Sequence, residues 1–409
     1  MKILAYTSPA RGHLYPLVPI LLELRDRGHD IAVRTLADEV PNLRRLGMDA
    51  ERISPTINQI ALTDYLARSP VAAVKRAAEV FARRAPHEVA DLRTAIAIEQ
   101  PDALVVDANC WGAAAVAESW GGPWSSLLPY PAPLPSRDTP PFGPGFPPAR
   151  HALGRFRDRL LSPMIIGSIE KAMLPALNAA RMAAGAERVR DAHDMLTRAP
   201  LTLYLTAEPF EYPRSDWPSS YKLVGPTSYE PAAEAPGWLA HIGRPIVLVT
   251  TSSEFQDDGA LVSAALAGLA EEDVFVVATV PAGSPPAYDV PANARVERFV
   301  PHTQVLPYTT CVVTHGGMGS TQKALAAGVP VVAVPFGRDQ SEVARRVQVA
   351  HAGTRLSSRR LSPDRLRAKV REAMLLGDGA RAVAAAFHAA GGAAQAATEV
   401  EILARAAHA

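Results

Sequence analysis

The chain has 409 residues, enough for two domains at roughly 100–200 residues each. Lysine plus arginine is 42 against 41 aspartate plus glutamate, and a formal charge of +1 gives no electrostatic footprint for wrapping nucleic acid. Hydrophobic residues make up 48% and charged residues 20%, values that support a large core and exclude bulk disorder. The two cysteines, Cys110 and Cys311, form no CxxC pair, so a zinc ribbon or disulfide scaffold is excluded and a reduced, cytoplasmic compartment is expected. The N-terminus lacks a signal-peptide pattern and no run of about 18 uncharged apolar residues occurs, so no membrane partner is expected.

Taken in order, KILAYT (2–7) reads as a buried strand and PLVPILLELRDRG (16–28) as a helix ending at Gly28. DIAVRT (30–35) and DALVVD (102–107) read as further strands, and 113–121 as a helix. Short apolar runs alternating with helices are the pattern of a parallel sheet covered on both faces. Residues 123–148 then hold ten prolines and read as a long functional loop or lid. Helical stretches follow at 150–182 and 186–197, then strands at 201–206 and 221–226 and a polar, proline-rich linker at 227–240. A second series begins with strands at 245–251, 274–280, 294–300, 311–315 and 330–335, with helices at 259–270 and 320–327. Two such series predict two doubly wound α/β domains, 1–226 and 241–385, followed by an alanine-rich helical tail at 386–409.

Several mechanisms lack their signatures. No Gly-Lys dipeptide, GxGxxG, GxSxG or HExxH occurs. No Asp-x-Asp pair occurs, which weakens any reaction built on a metal-bridged diphosphate, and no metal site is expected. Two constellations remain. The turn SPARGH brings His13 to the carboxyl end of the first strand, where ligands of open α/β sheets bind. Asp107 ends a later strand at that same edge, so the carboxylate can orient the imidazole and make it a usable base near neutral pH. Equally ordinary roles for the pair are a helix-capping histidine and a surface carboxylate.

The second constellation is CVVTHGGMGSTQKALAAGVPVVAVPFGRDQ (311–340). A strand runs into His315, Gly316, Gly317, Gly319 and Ser320 and then into a helix. Small residues let backbone amides approach a ligand, and the helix start adds unpaired N–H groups: a site suited to a diphosphate. Asp339 and Gln340 end a neighbouring strand region with the carboxylate and amide that vicinal hydroxyls bind.

With RGHLYPLVPILLELRDRGHDI near the start and RFVPHTQVLP at 298–307, these residues give the chain its resemblance to GT-B natural-product glycosyltransferases of the macrolide, glycopeptide and enediyne type. The resemblance implies two facing Rossmann-like lobes, an acceptor in the N-terminal lobe and a nucleotide sugar in the other. It also implies an inverting, metal-independent reaction with His13 as base and Asp107 as its acidic partner. Ser252 and Ser253 match a loop that touches the diphosphate. Phe299, Val300 and His302 match a segment that holds the nucleobase, Phe299 by stacking. The tail is expected to pack back on the N-terminal lobe, and a homodimer is allowed by analogy.

Where uridine-using relatives often carry a ribose-gripping glutamate, this chain has Lys323, which cannot accept a hydrogen bond. That departure points to a dTDP-deoxysugar as co-substrate, with no further cofactor. Trp124, Tyr130, Phe142 and Phe146 in the proline-rich loop, with Met164 and Met173 beyond it, suit a small hydrophobic aglycone. The expected activity is transfer of the deoxysugar to that aglycone in antibiotic biosynthesis. Two other readings are a nucleotide-sugar epimerase or hydrolase and a degenerate, non-catalytic partner protein.

Overall fold

The computed structural model describes residues 1–67, 69–281 and 288–406. The first sheet has seven strands: β1 (Lys2–Tyr6), β2 (Asp30–Thr35), β3 (Asp49–Arg52), β4 (Ala103–Asp107), β5 (Trp124–Leu128), β6 (Leu201–Tyr204) and β7 (Tyr221–Leu223). The second has six: β8 (Ile246–Thr250), β9 (Phe275–Thr279), β10 (Ala294–Glu297), β11 (Thr309–Thr314), β12 (Val331–Ala333) and β13 (Gly353–Arg355). All pairings are parallel. The strands read as near-continuous apolar runs because both faces are covered by helices. Leu4, Val106 and Leu104 pack on one face of the first sheet, and Ile3, Ala5 and Val105 on the other.

The strand orders are β3-β2-β1-β4-β5-β6-β7 and β10-β9-β8-β11-β12-β13. Each sheet therefore reverses direction between its first and fourth strands, β1 beside β4 and β8 beside β11. A crevice opens at the carboxyl ends of such a pair. Register sets what lines it: Tyr6 pairs with Val106, and Thr250 with Thr314. The residues just beyond, on β1 with β4 and on β8 with β11, form the rims of two crevices, one on each lobe.

The structure differs from the sequence reading at four places. The first helix begins at Arg11, so His13 lies in its opening turn rather than in a loop. No element was read between 36 and 101, yet β3 and a 30-residue helix, Pro70–Glu99, lie there. β5 sits inside the stretch assigned to the proline-rich loop; Pro123 and Pro129 flank it just outside the ladder, where a missing N–H costs nothing. The helix Ala152–Ala183 is long and apolar enough, by length and composition, to cross a membrane. Little of that apolar window is buried; the helix's last turns pack on the Pro70–Glu99 helix through Leu177 and Ala180, beside Ala78 and Ala85.

The tail forms two helices, Gly377–Ala389 and Gly392–Ala406; residues 407–409, included in the expected tail, lie outside those described. The second crosses back to the first lobe, where Ala396, Ala397 and Val400 join Leu14, Leu17 and Leu21 in one core. The lobes also share a core: Ala207 and Phe210, from the segment after β6, bury themselves among second-lobe residues, with the Phe210 and Phe387 rings 5.7 Å apart.

Polar clasps complete the junction. Arg346 meets Glu211 at 2.8 Å in the interior, and Arg338 holds Asp64 through contacts of 2.9 and 3.1 Å. Glu342 Oε1 accepts the Gly143 and Gly145 N–H groups at 2.8 and 2.9 Å, so the proline-rich loop is tied to the opposite lobe. Gly145 has φ +63°, and a Cβ there would lie 2.4 Å from the Ser341 carbonyl oxygen. Only glycine permits that approach.

Candidate active site between the lobes

On the first lobe, the helix that follows β1 carries His13 in its opening turn, and β4 ends in Asp107. His13 Nδ1 lies 2.8 Å from Asp107 Oδ2, a close ion-pair contact whose angle is off the line of a hydrogen bond. Asp107 is buried and accepts hydrogen bonds from Ser8 Oγ at 3.1 Å and the Asn109 N–H at 2.7 Å. On its other side, His13 Nε2 stands 3.2 Å from Asn109 Nδ2, and the Tyr130 hydroxyl donates to Asn109 Oδ1 at 2.9 Å. The Tyr130 and His13 rings are 5.8 Å apart. The histidine side chain keeps 18% of its surface exposed, so a substrate can reach it.

Burial lowers the His13 pKa, but Asp107, Asp339 and Glu254 outweigh it, and the net value is raised above the ordinary histidine range. Asp339 and Glu254 belong to the second lobe. The imidazole thus feels carboxylates from both sides of the cleft.

On the second lobe, β11 runs into His315 and the glycine turn. The helix Met318–Ala326 has Gly317 as its N-cap and no side-chain cap, so its first amides remain free for a ligand. Ser320 Oγ bonds to Thr314 Oγ1 at 2.8 Å and to the Gly317 carbonyl at 3.1 Å, which braces the turn. Burial holds the His315 pKa below the ordinary value against the opposing pull of Asp258, so the ring is a neutral N–H donor at pH 7. A Cβ on Gly317 would come within 2.3 Å of His315 Nε2. Gly317→Ala is therefore expected to displace the imidazole and weaken nucleoside-diphosphate binding about tenfold or more, measured by calorimetry with dTDP.

Ser252 and Ser253 follow β8. The Ser252 N–H donates to Asp258 Oδ2 at 2.8 Å and its hydroxyl oxygen accepts from the Glu254 N–H at 3.1 Å; Ser253 is exposed. Phe299 is 51% exposed and offers a face for stacking, while the Val300 side chain is in the core. His302 Nε2 contacts Thr279 Oγ1 at 3.1 Å, and burial followed by Lys323 pushes its pKa down to about 4.

Asp339, partly exposed, precedes the helix Gln340–Val349; burial raises its pKa despite nearby Arg338 and His13. Gln340 Oε1 accepts the Phe336 and Gly337 N–H groups and Nε2 donates to Gln256 Oε1, leaving one amide hydrogen for a ligand.

The aromatic residues of the proline-rich segment separate. Tyr130 belongs to the His13 site. Trp124 does not line an acceptor site: it lies on β5, 6% exposed, in the first-lobe core, because the strand turns its side chain inward. Phe142 lines a separate cavity of about 300 Å³ with Leu134 and Ile166. Phe146 lies beneath the Arg157 guanidinium at 4.9 Å. Met164 is exposed and Met173 packs in a core. Asn109, Glu254 and Glu230 were missed by sequence reasoning; Asn109 stands two residues after Asp107, which is the only local signal for it.

Two doubly wound lobes that face each other, with an imidazole on one and an uncapped helix start on the other, define the GT-B class of architecture. Residues 263–406 match the family model described as erythromycin biosynthesis protein CIII-like, C-terminal domain. The chain is 33% identical over 385 residues to the 4'-demethylrebeccamycin synthase of Lentzea aerocolonigenes, covering 90% of this chain and 91% of that protein. In fold it is similar to the kitacinnamycin glycotransferase, with TM-score 0.76, 22% identity and 98% of each chain covered. It is also similar to the glycosyltransferase VinC in complex with dTDP, with TM-score 0.71, 22% identity, and coverage of 99% of this chain and 100% of that one. The chain belongs to the GT-B natural-product glycosyltransferases. It is a glycosyltransferase that moves a sugar onto a natural-product aglycone.

Proposed function

We propose that the enzyme transfers a deoxysugar from a dTDP-sugar to a hydrophobic natural-product aglycone in antibiotic biosynthesis, inverting the anomeric carbon without a metal. The observation that carries this reading is His13 with its Nδ1 2.8 Å from Asp107 Oδ2 on one lobe, and the uncapped Met318–Ala326 helix start on the other. A base and a sugar site on opposite walls of one cleft are what single displacement needs.

In the proposed reaction His13 Nε2 takes the acceptor proton as the acceptor attacks the anomeric carbon. The bond from that carbon to the diphosphate breaks, and its electron pair leaves with the β-phosphate oxygen. Neutral His315, the Ser252–Ser253 loop and the free amides of Gly319 and Ser320 would stabilise the departing charge. Asp339 and the remaining Gln340 hydrogen would bind sugar hydroxyls, and Phe299 would stack on the base. Tyr130 would face the acceptor.

Lys323 supports the choice of nucleotide. Its Nζ lies 2.7 Å from Glu230 Oε1 of the linker. Glu230 also accepts the His302 N–H at 3.0 Å, the Thr303 N–H at 3.0 Å and the Thr303 hydroxyl at 2.8 Å. The carboxylate beside Lys323 is therefore fully engaged, and a ribose 2′-hydroxyl placed there has no free acceptor. Leaving that hydroxyl unpaired costs about 1–3 kcal/mol. Calorimetry is expected to give dTDP about tenfold tighter binding than UDP. Comparing UDP with dUDP isolates the hydroxyl from the base methyl; tighter UDP binding would overturn the dTDP assignment.

A further inference from the structure

The sequence reading used two residues at the base, His13 and Asp107; the structure adds two more. Asn109 Nδ2 lies 3.2 Å from His13 Nε2, the nitrogen on the side away from Asp107. An amide nitrogen carries hydrogens and no lone pair with which to accept. The contact has one sense: the amide donates and Nε2 accepts. The imidazole proton then sits on Nδ1, 2.8 Å from Asp107 Oδ2.

The amide is itself held. The Tyr130 hydroxyl donates to Asn109 Oδ1 at 2.9 Å, and the Asn109 N–H donates to Asp107 Oδ1 at 2.7 Å. A flipped amide would turn Oδ1 toward Nε2 and favour the proton there, which would disable the base. We infer that Asn109, locked by Tyr130, is a positioning residue that keeps the His13 proton on Nδ1 and Nε2 unprotonated until the acceptor displaces the amide. The inference rests on His13 being the base and explains which of its nitrogens takes the acceptor proton.

The incoming acceptor would take the Asn109 place on Nε2. Its X–H bond breaks, the proton passes to Nε2, and the Nδ1 proton stays beside Asp107. The groups facing His13 are Asp107 after β4, Asp339 before the Gln340–Val349 helix, Glu254 in the loop after β8, and Tyr130. All three carboxylates favour the charged ring. Among these neighbours the Asn109 amide is the group that favours the neutral one, as a donor to its free lone pair.

Nuclear magnetic resonance of the full-length chain with ¹⁵N-labelled histidine reads this directly, with no substrate present. The His13 signals are assigned by their loss in His13→Gln, and the other histidine signals report whether each variant remains folded. At a pH above its raised pKa, the wild type is expected to show Nδ1–H and an unprotonated Nε2. Asn109→Asp is expected to raise the His13 pKa by about one pH unit or more, through the added charge. Asn109→Ala is expected to raise it less. Tyr130→Phe, which removes a single oxygen, is expected to give a mixture of the two tautomers. A wild-type Nε2–H tautomer, or a tautomer and pKa unchanged in all folded variants, would overturn the inference. Loss of the base assignment itself would appear elsewhere, as full turnover in His13→Ala.

Discussion

His13→Ala is expected to retain dTDP binding within about twofold and to lose about 10²–10⁴ in turnover with an alcohol acceptor, the usual range for general-base catalysis. The separation follows from geometry. His13 belongs to the first lobe, while His315, the glycine turn and Phe299 belong to the second. Calorimetry with dTDP and a rate assay with a dTDP-sugar read the two halves independently. A more acidic acceptor will show a smaller loss, because it needs less help to shed its proton. Normal turnover with an alcohol would remove His13 from the reaction.

The pH profile carries a sign. The base must be unprotonated, and its folded pKa is raised above the usual histidine value. Activity should therefore fall as pH drops through that raised value, placing the acid limb above the range of a free histidine. Asp107→Asn removes one of the groups that raise it. The acid limb should move to lower pH while turnover also falls, since the ring loses the partner of its Nδ1 proton.

The second large effect is structural. Glu211 and Arg346 are buried together, with contacts of 2.8 and 3.0 Å that join a segment of the first lobe to a helix of the second. Arg346 also bonds to Glu342 at 3.0 Å and lies over the Tyr212 ring at 4.4 Å. The Tyr204 hydroxyl donates to Glu211. Arg346→Ala leaves the buried Glu211 and Glu342 carboxylates without their shared partner and is expected to cost about 3–5 kcal/mol, measured by chemical denaturation. Glu211→Ala, which leaves Arg346 paired with Glu342 at 3.0 Å, should cost less. Equal losses in the two replacements would show that packing, rather than the stranded charge, sets the cost.

The same pair makes stability depend on pH. Burial raises the Glu211 pKa, but Arg346, Arg214 and the Tyr204 bond bring it below the ordinary carboxylate value. A depressed folded value contributes stability above the unfolded pKa, which is lost as pH falls through the folded one. The wild type should therefore lose lobe-to-lobe cohesion on acidification, and Glu211→Ala, which lacks that carboxyl, should lose less.

Much of the architecture is legible in the chain because its signals are local. Apolar runs such as IVLVT and LVVD, bounded by helices, can only be strands of a sheet covered on both sides. HGGMGS between a strand and a helix marks an anion site, because a helix start without a side-chain cap presents free amides. β5 was hidden because its central serines and flanking prolines do not look like a strand; pairing with β4 and β6 makes it one.

What the chain by itself determined is the set of parts: two series of strands and helices, an imidazole and a carboxylate at strand ends, and a glycine turn. What only the tertiary structure decided is how those parts meet. Strand order puts His13 beside Asp107, lobe packing brings Asp339 and Glu254 toward the same ring, and Tyr130 reaches Asn109 across 21 residues. Those relations depend on distances through space, and a side chain acts on whatever lies within a few ångströms of it, wherever that neighbour stands in the sequence.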